Sequence, residues 1–342
     1  MVGTMALLRA LLRSARRSRT SSRPAGSPAD DEVLLDAPDD RLAPALVGAG
    51  RGEYGPAADL LAATRGAAAW EDRDRYVLGL AAFARSRPEW VADWRAAAPG
   101  DPGVLLLLAQ LAVDRGMASP ARTELLADVG PLIAAAADAG PQDPVPWRLA
   151  LDHAHGVRAG HPEFERLWAQ AVRRSPHHYG CHVAALRHLS ATSRGSHGEC
   201  FDFAESAAQD APADALVQAL PVRAAVACLA RGTRVGAARL DAAADRAIAL
   251  SARFPAGDPW PAEVRNLLAY VLVAVGRRQD ALEQLRLIGP YVTSFPWDRV
   301  SDDPLGHFLR LRAELSAPDP GLIPSPRRPG SEDGGHTSAG DH

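Results

Sequence analysis

Apolar side chains recur every three or four residues along much of this chain, and that period strongly limits what it can fold into. The clearest run follows the steps i, i+3, i+4, i+7, i+8 and i+11, which place all of its side chains on one face of an α-helix. Its members are Val264, Leu267, Leu268, Val271, Leu272 and Val275. Hydrophobic residues make up 47% of the chain but aromatic residues only 6%, because alanine, the strongest helix former, is abundant. We therefore expect an all-α fold.

A second run carries larger side chains at a distinctive spacing. Phe164, Trp168, Ala171 and Pro176 stand 4, 3 and 5 residues apart. This spacing is typical of the second helix of a tetratricopeptide (TPR) repeat and of the proline that ends it. Helix pairs of that kind stack into curved arrays. The sequence thus predicts an irregular TPR-like α-solenoid of stacked antiparallel helix pairs, with its clearest repeat at residues 144–177.

Composition divides the chain into three segments. Residues 1–37 should form a basic, disordered arm, residues 38–316 the helical repeat domain, and residues 317–342 a disordered tail rich in Pro, Gly, Ser and Asp. Such a tail cannot bury enough apolar surface to offset its ordering entropy.

The arm has six arginines and no acid before Asp30. A short amphipathic helix at 4–18 is an alternative there, and it would allow peripheral contact with an anionic membrane or an acidic partner. We favour two other interpretations over this helix. Either the arm is disordered, or the true start codon lies further downstream and residues 1–29 are not translated.

Charge and cysteine usage exclude several functions. The chain has no lysine, so all 38 basic residues are arginine, and phosphate-binding or Schiff-base sites that need a lysine are excluded. A net charge of −3 gives no general attraction to nucleic acid. Three cysteines without a C-x-x-C pair fit a reducing cytoplasm better than a disulfide framework. No apolar run approaches the about 18 residues of a transmembrane helix.

Part of the chain resembles a group of uncharacterised TPR-like proteins of high-GC bacteria. The resemblance covers roughly residues 70–210. It is carried by Asp143-Pro144-Val145-Pro146-Trp147, His161, Phe164, Trp168, Arg174-x-Pro176, His178, His182, Gly195-Ser196-His197 and Phe201-Asp202-Phe203-Ala204. The group has a Lys-Trp pair before the Gly-Ser, where this chain has Thr192-Ser193. The resemblance implies a helical-repeat fold and no particular activity.

Eight of the eleven histidines lie between His153 and His197. His178 and His182 are i, i+4 partners on one helix, and His197 with Cys200 begins the next. These four residues form a candidate zinc or transition-metal site. The histidines serve equally well as packing residues at helix seams, and no H-E-x-x-H or C-x-x-C motif supports the site. We favour packing and expect no cofactor.

TPR geometry suggests a second kind of site, because the first helix of each pair lines the concave groove. Six residues are expected to face that groove: His153, Val157, His182, Arg187, Asn266 and Tyr270. Asn266, the only asparagine, could hold a peptide backbone or carboxylate, with Arg187 or Arg265 supplying charge.

The favoured function is a non-enzymatic cytoplasmic scaffold or adaptor, because no catalytic motif such as G-x-S-x-G is present. It would bind an unidentified protein or peptide in the groove, and neither nucleic acid nor a transmembrane segment is expected. The alternative is a metal-binding sensor or metal-dependent hydrolase that uses the His/Cys cluster at 177–200.

Overall fold

A computed structural model describes Ala29, residues 32–191 and residues 197–316. This part of the chain is mostly helical, which confirms the all-α prediction. The first helices are α1 (Leu42–Gly50), α2 (Gly55–Gly66), α3 (Trp70–Ala84), α4 (Glu89–Ala97), α5 (Pro102–Ala118), α6 (Arg122–Ala127), α7 (Gly130–Ala139) and α8 (Val145–Gly156). They are followed by α9 (His161–Arg174), α10 (Tyr179–Ala191), α11 (His197–Asp210), α12 (Leu220–Leu229), α13 (Ala237–Ser251), α14 (Ala262–Ala274), α15 (Arg278–Ile288) and α16 (Pro304–Ser316). Short 3-10 turns lie at Leu216–Ala219 and Trp297–Arg299.

The apolar periodicity explains the helix faces. In α14 five of the six members of the Val264–Val275 run are buried, and in α9 Phe164, Leu167 and Ala171 are buried while the intervening positions are mostly exposed. These stripes are what an amphipathic helix presents to a core.

Two hydrophobic cores meet at α10. The first core runs from Leu42 to Ala185 and the second from Tyr179 to Ala281. Helix α10 supplies Cys181, Ala184 and Ala185 to the first, but Tyr179, Val183 and Leu186 to the second. Helices that follow one another in the chain pack together, among them α1 with α2 and α14 with α15, and α8 also packs on α10. Helix α10 is therefore the wall between the two halves.

The N-terminal and C-terminal parts of the described chain meet in a small parallel sheet. Strand β1 (Leu34–Leu35) pairs with β2 (Tyr291–Val292), with Leu34 opposite Tyr291 and Leu35 opposite Val292. Val33 is buried in a third apolar cluster with Val292 and Trp297. Residues 33–36, which were expected to belong to the N-terminal arm, are thus held by backbone pairing and burial.

The possible helix at 4–18 and the tail at 317–342 lie outside the described residues. Within the described ranges, no helix combines the length and the apolar character needed to cross a membrane.

Candidate functional site

A cleft of about 350 Å³ lies along α10, between the two halves of the molecule. Its lining comes from α3, α5, α8, α10, α12 and α14, together with Leu216 and Trp260. Two helices contribute most. Helix α3 presents Glu71, Asp74, Arg75 and Leu78, and α10 presents Gly180, Val183, Ala184 and Arg187. Both sets have the spacing i, i+3, i+4, i+7, so each is a single helix face, and the two faces together form a cleft with a polar wall and a small apolar floor.

Arg148 of α8 holds the deep wall of the cleft together. Its Nε and Nη2 donate to Asp74 Oδ1 at 3.0 and 2.6 Å, and Nη2 also donates to Gln110 Oε1 at 2.6 Å. Its Nη1 lies 3.3 Å from Asp152 Oδ2. All three charged side chains are less than 10% exposed. Since a buried charge is tolerated only when paired and hydrogen-bonded, this network fixes α3, α5 and α8 relative to one another.

The network reaches solvent at Arg187. The Arg187 Nη1 donates to Asp152 Oδ1 at 2.7 Å, and its side chain is 43% exposed. Arg187 therefore combines one anchored nitrogen with a guanidinium that borders the open cleft.

The opposite end of the cleft lies at the N-terminus of α10. There the backbone N–H of Tyr179 donates to Glu71 Oε1 at 2.6 Å. A carboxylate at this place satisfies a free helix N–H and interacts favourably with the helix dipole. The Tyr179 hydroxyl donates to Glu263 Oε1 at 3.1 Å, and Arg223 also donates to that oxygen. Two carboxylates from α3 and α14 thus flank the first turn of α10.

Burial shifts the protonation of this end. Desolvation raises the pKa of Glu71, and His178, Tyr179 N–H and the acids around it only modify that effect. The His178 Nε2 lies 4.0 Å from Glu71 Oε2 and 3.9 Å from Asp74 Oδ2. Burial alone would lower the pKa of His178, but Cys181, Glu71 and Asp74 outweigh it and raise the pKa to about 10. His178 therefore lies buried beneath the acidic end of the cleft, with its Nε2 facing both carboxylates.

Arg75 and Trp260 form the rim between this cleft and a second cavity of about 230 Å³. The Arg75 guanidinium lies 5.1 Å from the Trp260 ring centroid, and its Nη1 donates to Pro259 O at 3.2 Å. Its Nη2 lies 2.7 Å from Asp39 and 2.9 Å from Asp72. These contacts tie α3 to the segment before α14.

Of the six residues expected in a groove, only Arg187 lines the cleft. His182 is 4% exposed and lies between Trp168 and Phe203. His153 and Val157 are half-buried, and the His153 Nε2 contacts Leu126 O at 2.8 Å. Tyr270 is half-buried against Trp297.

The side chain of Asn266, which was expected to face a groove, is completely buried. Its amide donates to Ala262 O and Tyr291 O, and its Oδ1 accepts a 2.8 Å hydrogen bond from Trp297 Nε1. Arg265 is equally buried, with its guanidinium bound by Ser251 Oγ and by carbonyls of the surrounding chain. Both residues hold the C-terminal segment in place and are not available to a ligand.

The candidate metal ligands that the structure describes make other contacts. Among residues 32–191 and 197–316 no group of three or more His, Cys, Asp or Glu side chains is arranged to hold a metal ion. The His178 Nδ1 accepts from Cys181 N, and the His182 Nδ1 contacts His178 O at 2.9 Å. Cys200 is buried in the second core, and the side chain of His197 lies outside the described part. These histidines are occupied by helix-end and seam contacts.

Glu71, Asp74, Glu263 and Trp260 are lining residues that sequence reasoning missed. One signal was present, since Glu71, Asp74 and Arg75 stand at heptad spacing in a helix whose other face is apolar. That pattern by itself is equally typical of a solvated helix face.

Comparison of the chain with family models, with curated proteins and with solved structures found no match in any of the three.

Proposed function

We propose that this chain is a non-enzymatic adaptor that binds a polypeptide segment in the cleft between α3 and α10. The observation that carries the proposal is the cleft itself, about 350 Å³ in volume and lined from both halves of the molecule. Cavities of several hundred Å³ with an apolar lining and a few fixed polar groups are the usual form of a ligand site.

The character of the lining favours a polypeptide. Leu78 is 46% exposed and Trp260 half-buried, so apolar surface is open at the rim. The deep polar groups bind one another, since Arg148 forms hydrogen bonds or ion pairs with Asp74, Gln110 and Asp152. Such a wall is rigid before binding, which reduces the ordering cost of association.

We further propose that the helices stack as an irregular TPR-like α-solenoid of antiparallel pairs. Packing between sequence neighbours, as for α1 with α2 and α11 with α12, supports this arrangement. Repeat arrays of this kind commonly serve as scaffolds for other molecules. A cytoplasmic location is part of the proposal, and the free thiols of all three cysteines are compatible with it.

The test is titration of the purified protein with a degenerate library of acetylated, amidated octapeptides, measured by biolayer interferometry. Wild type should bind, and Trp260→Ala and Leu78→Asp should weaken binding by about tenfold or more, since buried contact residues dominate affinity. Arg286→Ala serves as the control, because Arg286 is an exposed arginine of α15 whose ion-pair partner among the described residues is Glu283.

Library binding that is identical in wild type, Trp260→Ala and Leu78→Asp would place the site elsewhere. No binding at millimolar peptide would refute the peptide-binding function.

A further inference from the structure

The cleft is lined by charged side chains of both signs, with two glutamates at one end and an exposed arginine at the other, and Arg75 and Asp114 also line it. Glu71 and Glu263 flank the N-terminal turn of α10, and Asp74 lies behind them. Arg187 stands two turns further along the same helix. Between the ends the floor is uncharged, being made of Gly180, Val183 and Ala184.

At the acidic end, the carboxylate of Glu71 has little positive charge near it. Within the described residues, Glu71 has no arginine at ion-pair distance, and its basic neighbour is His178, whose Nε2 lies 4.0 Å from Glu71 Oε2. By contrast, Asp74 and Asp152 both face Arg148, and Glu263 faces Arg223. Desolvation raises the pKa of Glu71, and a bound cation would stabilise its ionised form.

The basic end is open to solvent. Arg187 is anchored by one nitrogen to Asp152 and leaves 43% of its side chain exposed. A guanidinium offers five N–H donors in a planar fork, so the anchored group retains donors that a carboxylate can accept from.

The length of the floor sets the size of the ligand. Gly180 and Arg187 are seven residues apart on α10, which corresponds to about 10 Å along the helix. A peptide in the polyproline II conformation advances about 3.1 Å per residue and has three residues per turn, so side chains three positions apart lie on the same face. Side chains three positions apart on such a peptide are therefore separated by the distance between the two ends.

We propose that the cleft selects a dipolar polypeptide segment, in which a lysine or arginine and an aspartate or glutamate are separated by two residues. The cationic side chain lies between Glu71 and Glu263, and the carboxylate lies against Arg187. The residues between them pack on Val183 and Ala184. This inference rests on the proposed function, whose site it shares and whose ligand it specifies.

Octapeptide pools with degenerate flanks and a fixed centre test the charge pattern. The centres are Arg-Ala-Ala-Glu, the reversed Glu-Ala-Ala-Arg, and versions in which citrulline replaces arginine or glutamine replaces glutamate. On immobilised wild type, one dipolar pool should bind about three- to tenfold more tightly than either pool that lacks one charge, as partly exposed ion pairs allow.

Charge-removing variants assign each end. In Glu71→Gln, which keeps an acceptor oxygen for Tyr179 N–H, the change from arginine to citrulline should no longer weaken binding, whereas the change from glutamate to glutamine still should. In Arg187→Gln the reverse is expected: the change from glutamate to glutamine should no longer weaken binding, whereas the change from arginine to citrulline still should. Glu283→Gln and Arg286→Gln remove the charges of an exposed pair on α15 and should behave as wild type.

Equal affinity of dipolar and neutral pools for wild type, with binding still sensitive to Trp260→Ala, overturns this inference and leaves the peptide-binding function standing. The inference is also overturned if each charge-removing variant becomes insensitive both to citrulline in place of arginine and to glutamine in place of glutamate. Absence of binding by every pool refutes both.

Discussion

The Glu71 carboxylate accepts a 2.6 Å hydrogen bond from the backbone N–H of Tyr179, although the two residues lie 108 positions apart. The first turn of α10 is thus capped by a side chain of α3. Because α10 contributes to both apolar cores, this contact fixes the helix that divides the molecule and sets one end of the cleft.

Removal of this cap should destabilise the protein. We expect Glu71→Ala to lower the free energy of unfolding by about 1 kcal/mol, the usual cost of losing a helix cap. Glu71→Gln retains an acceptor oxygen and should lose less. Urea unfolding followed by circular dichroism measures both. Glu53→Ala, at an exposed position between α1 and α2, should change stability by less than about 0.5 kcal/mol. Equal effects of Glu71→Ala and Glu53→Ala would show that the cap contributes nothing.

Arg148 should be the most sensitive residue of the cleft. Arg148→Leu leaves Asp74 and Asp152 buried without their shared cation, and loss of one partner of a buried ion pair costs about 3–5 kcal/mol. The double variant Arg148→Leu/Asp74→Asn removes one stranded charge and should recover part of the loss. Comparison of the two by urea unfolding is decisive, since a double variant that is less stable than the single one contradicts this account.

Gly180 should not tolerate a larger side chain. A Cβ there would lie 2.0 Å from Asp74 Oδ2, and displacement of that buried carboxylate would disturb the Arg148 network. We expect Gly180→Ala to cost about 1–3 kcal/mol, as overpacking does. At Gly130 nothing lies within 4 Å of the corresponding position, so Gly130→Ala should be neutral or stabilising. Thermal unfolding of the two variants side by side checks the difference in sign.

Acid should destabilise the seam between α9 and α10 through His182. Burial lowers the pKa of His182 from 6.5 to about 4, so between these values the unfolded chain binds a proton that the folded chain excludes. Stability should therefore fall as pH decreases from about 6.5 to about 4, by about 3 kcal/mol in total. Burial also lowers the pKa values of His155 and His188, which act in the same direction.

Other groups oppose or do not share this trend, so a variant is needed to isolate it. The raised pKa of Glu71 gives a contribution of opposite sign, because that contribution is lost as pH rises through the folded-state value. The pKa of His178 is raised, not lowered, so His178 does not add to this trend. The slope of unfolding free energy against pH should become shallower in His182→Phe than in wild type. An unchanged slope would mean that His182 does not titrate on unfolding.

The helical class and several buried faces could be predicted from the sequence, because an apolar period of 3.6 residues is a local property. The run from Val264 to Leu272 and the spacing of Phe164 and Ala171 both identified residues that are buried. Arg187 was placed at a ligand-facing position, and it does line the cleft.

Only the tertiary structure decided where the polar side chains meet. Asp74 and Arg148 are separated by 74 positions and Trp297 and Asn266 by 31, and no local pattern states which helix covers which. The amide of Asn266 was expected to face a ligand, but a later segment of the chain occupies it. The sequence by itself determined which residues form helices and which faces are apolar, since these follow from neighbours within two turns. The cleft is formed by helices that are far apart in the chain. Its buried charged groups are stable only when paired, and their partners lie on those distant helices.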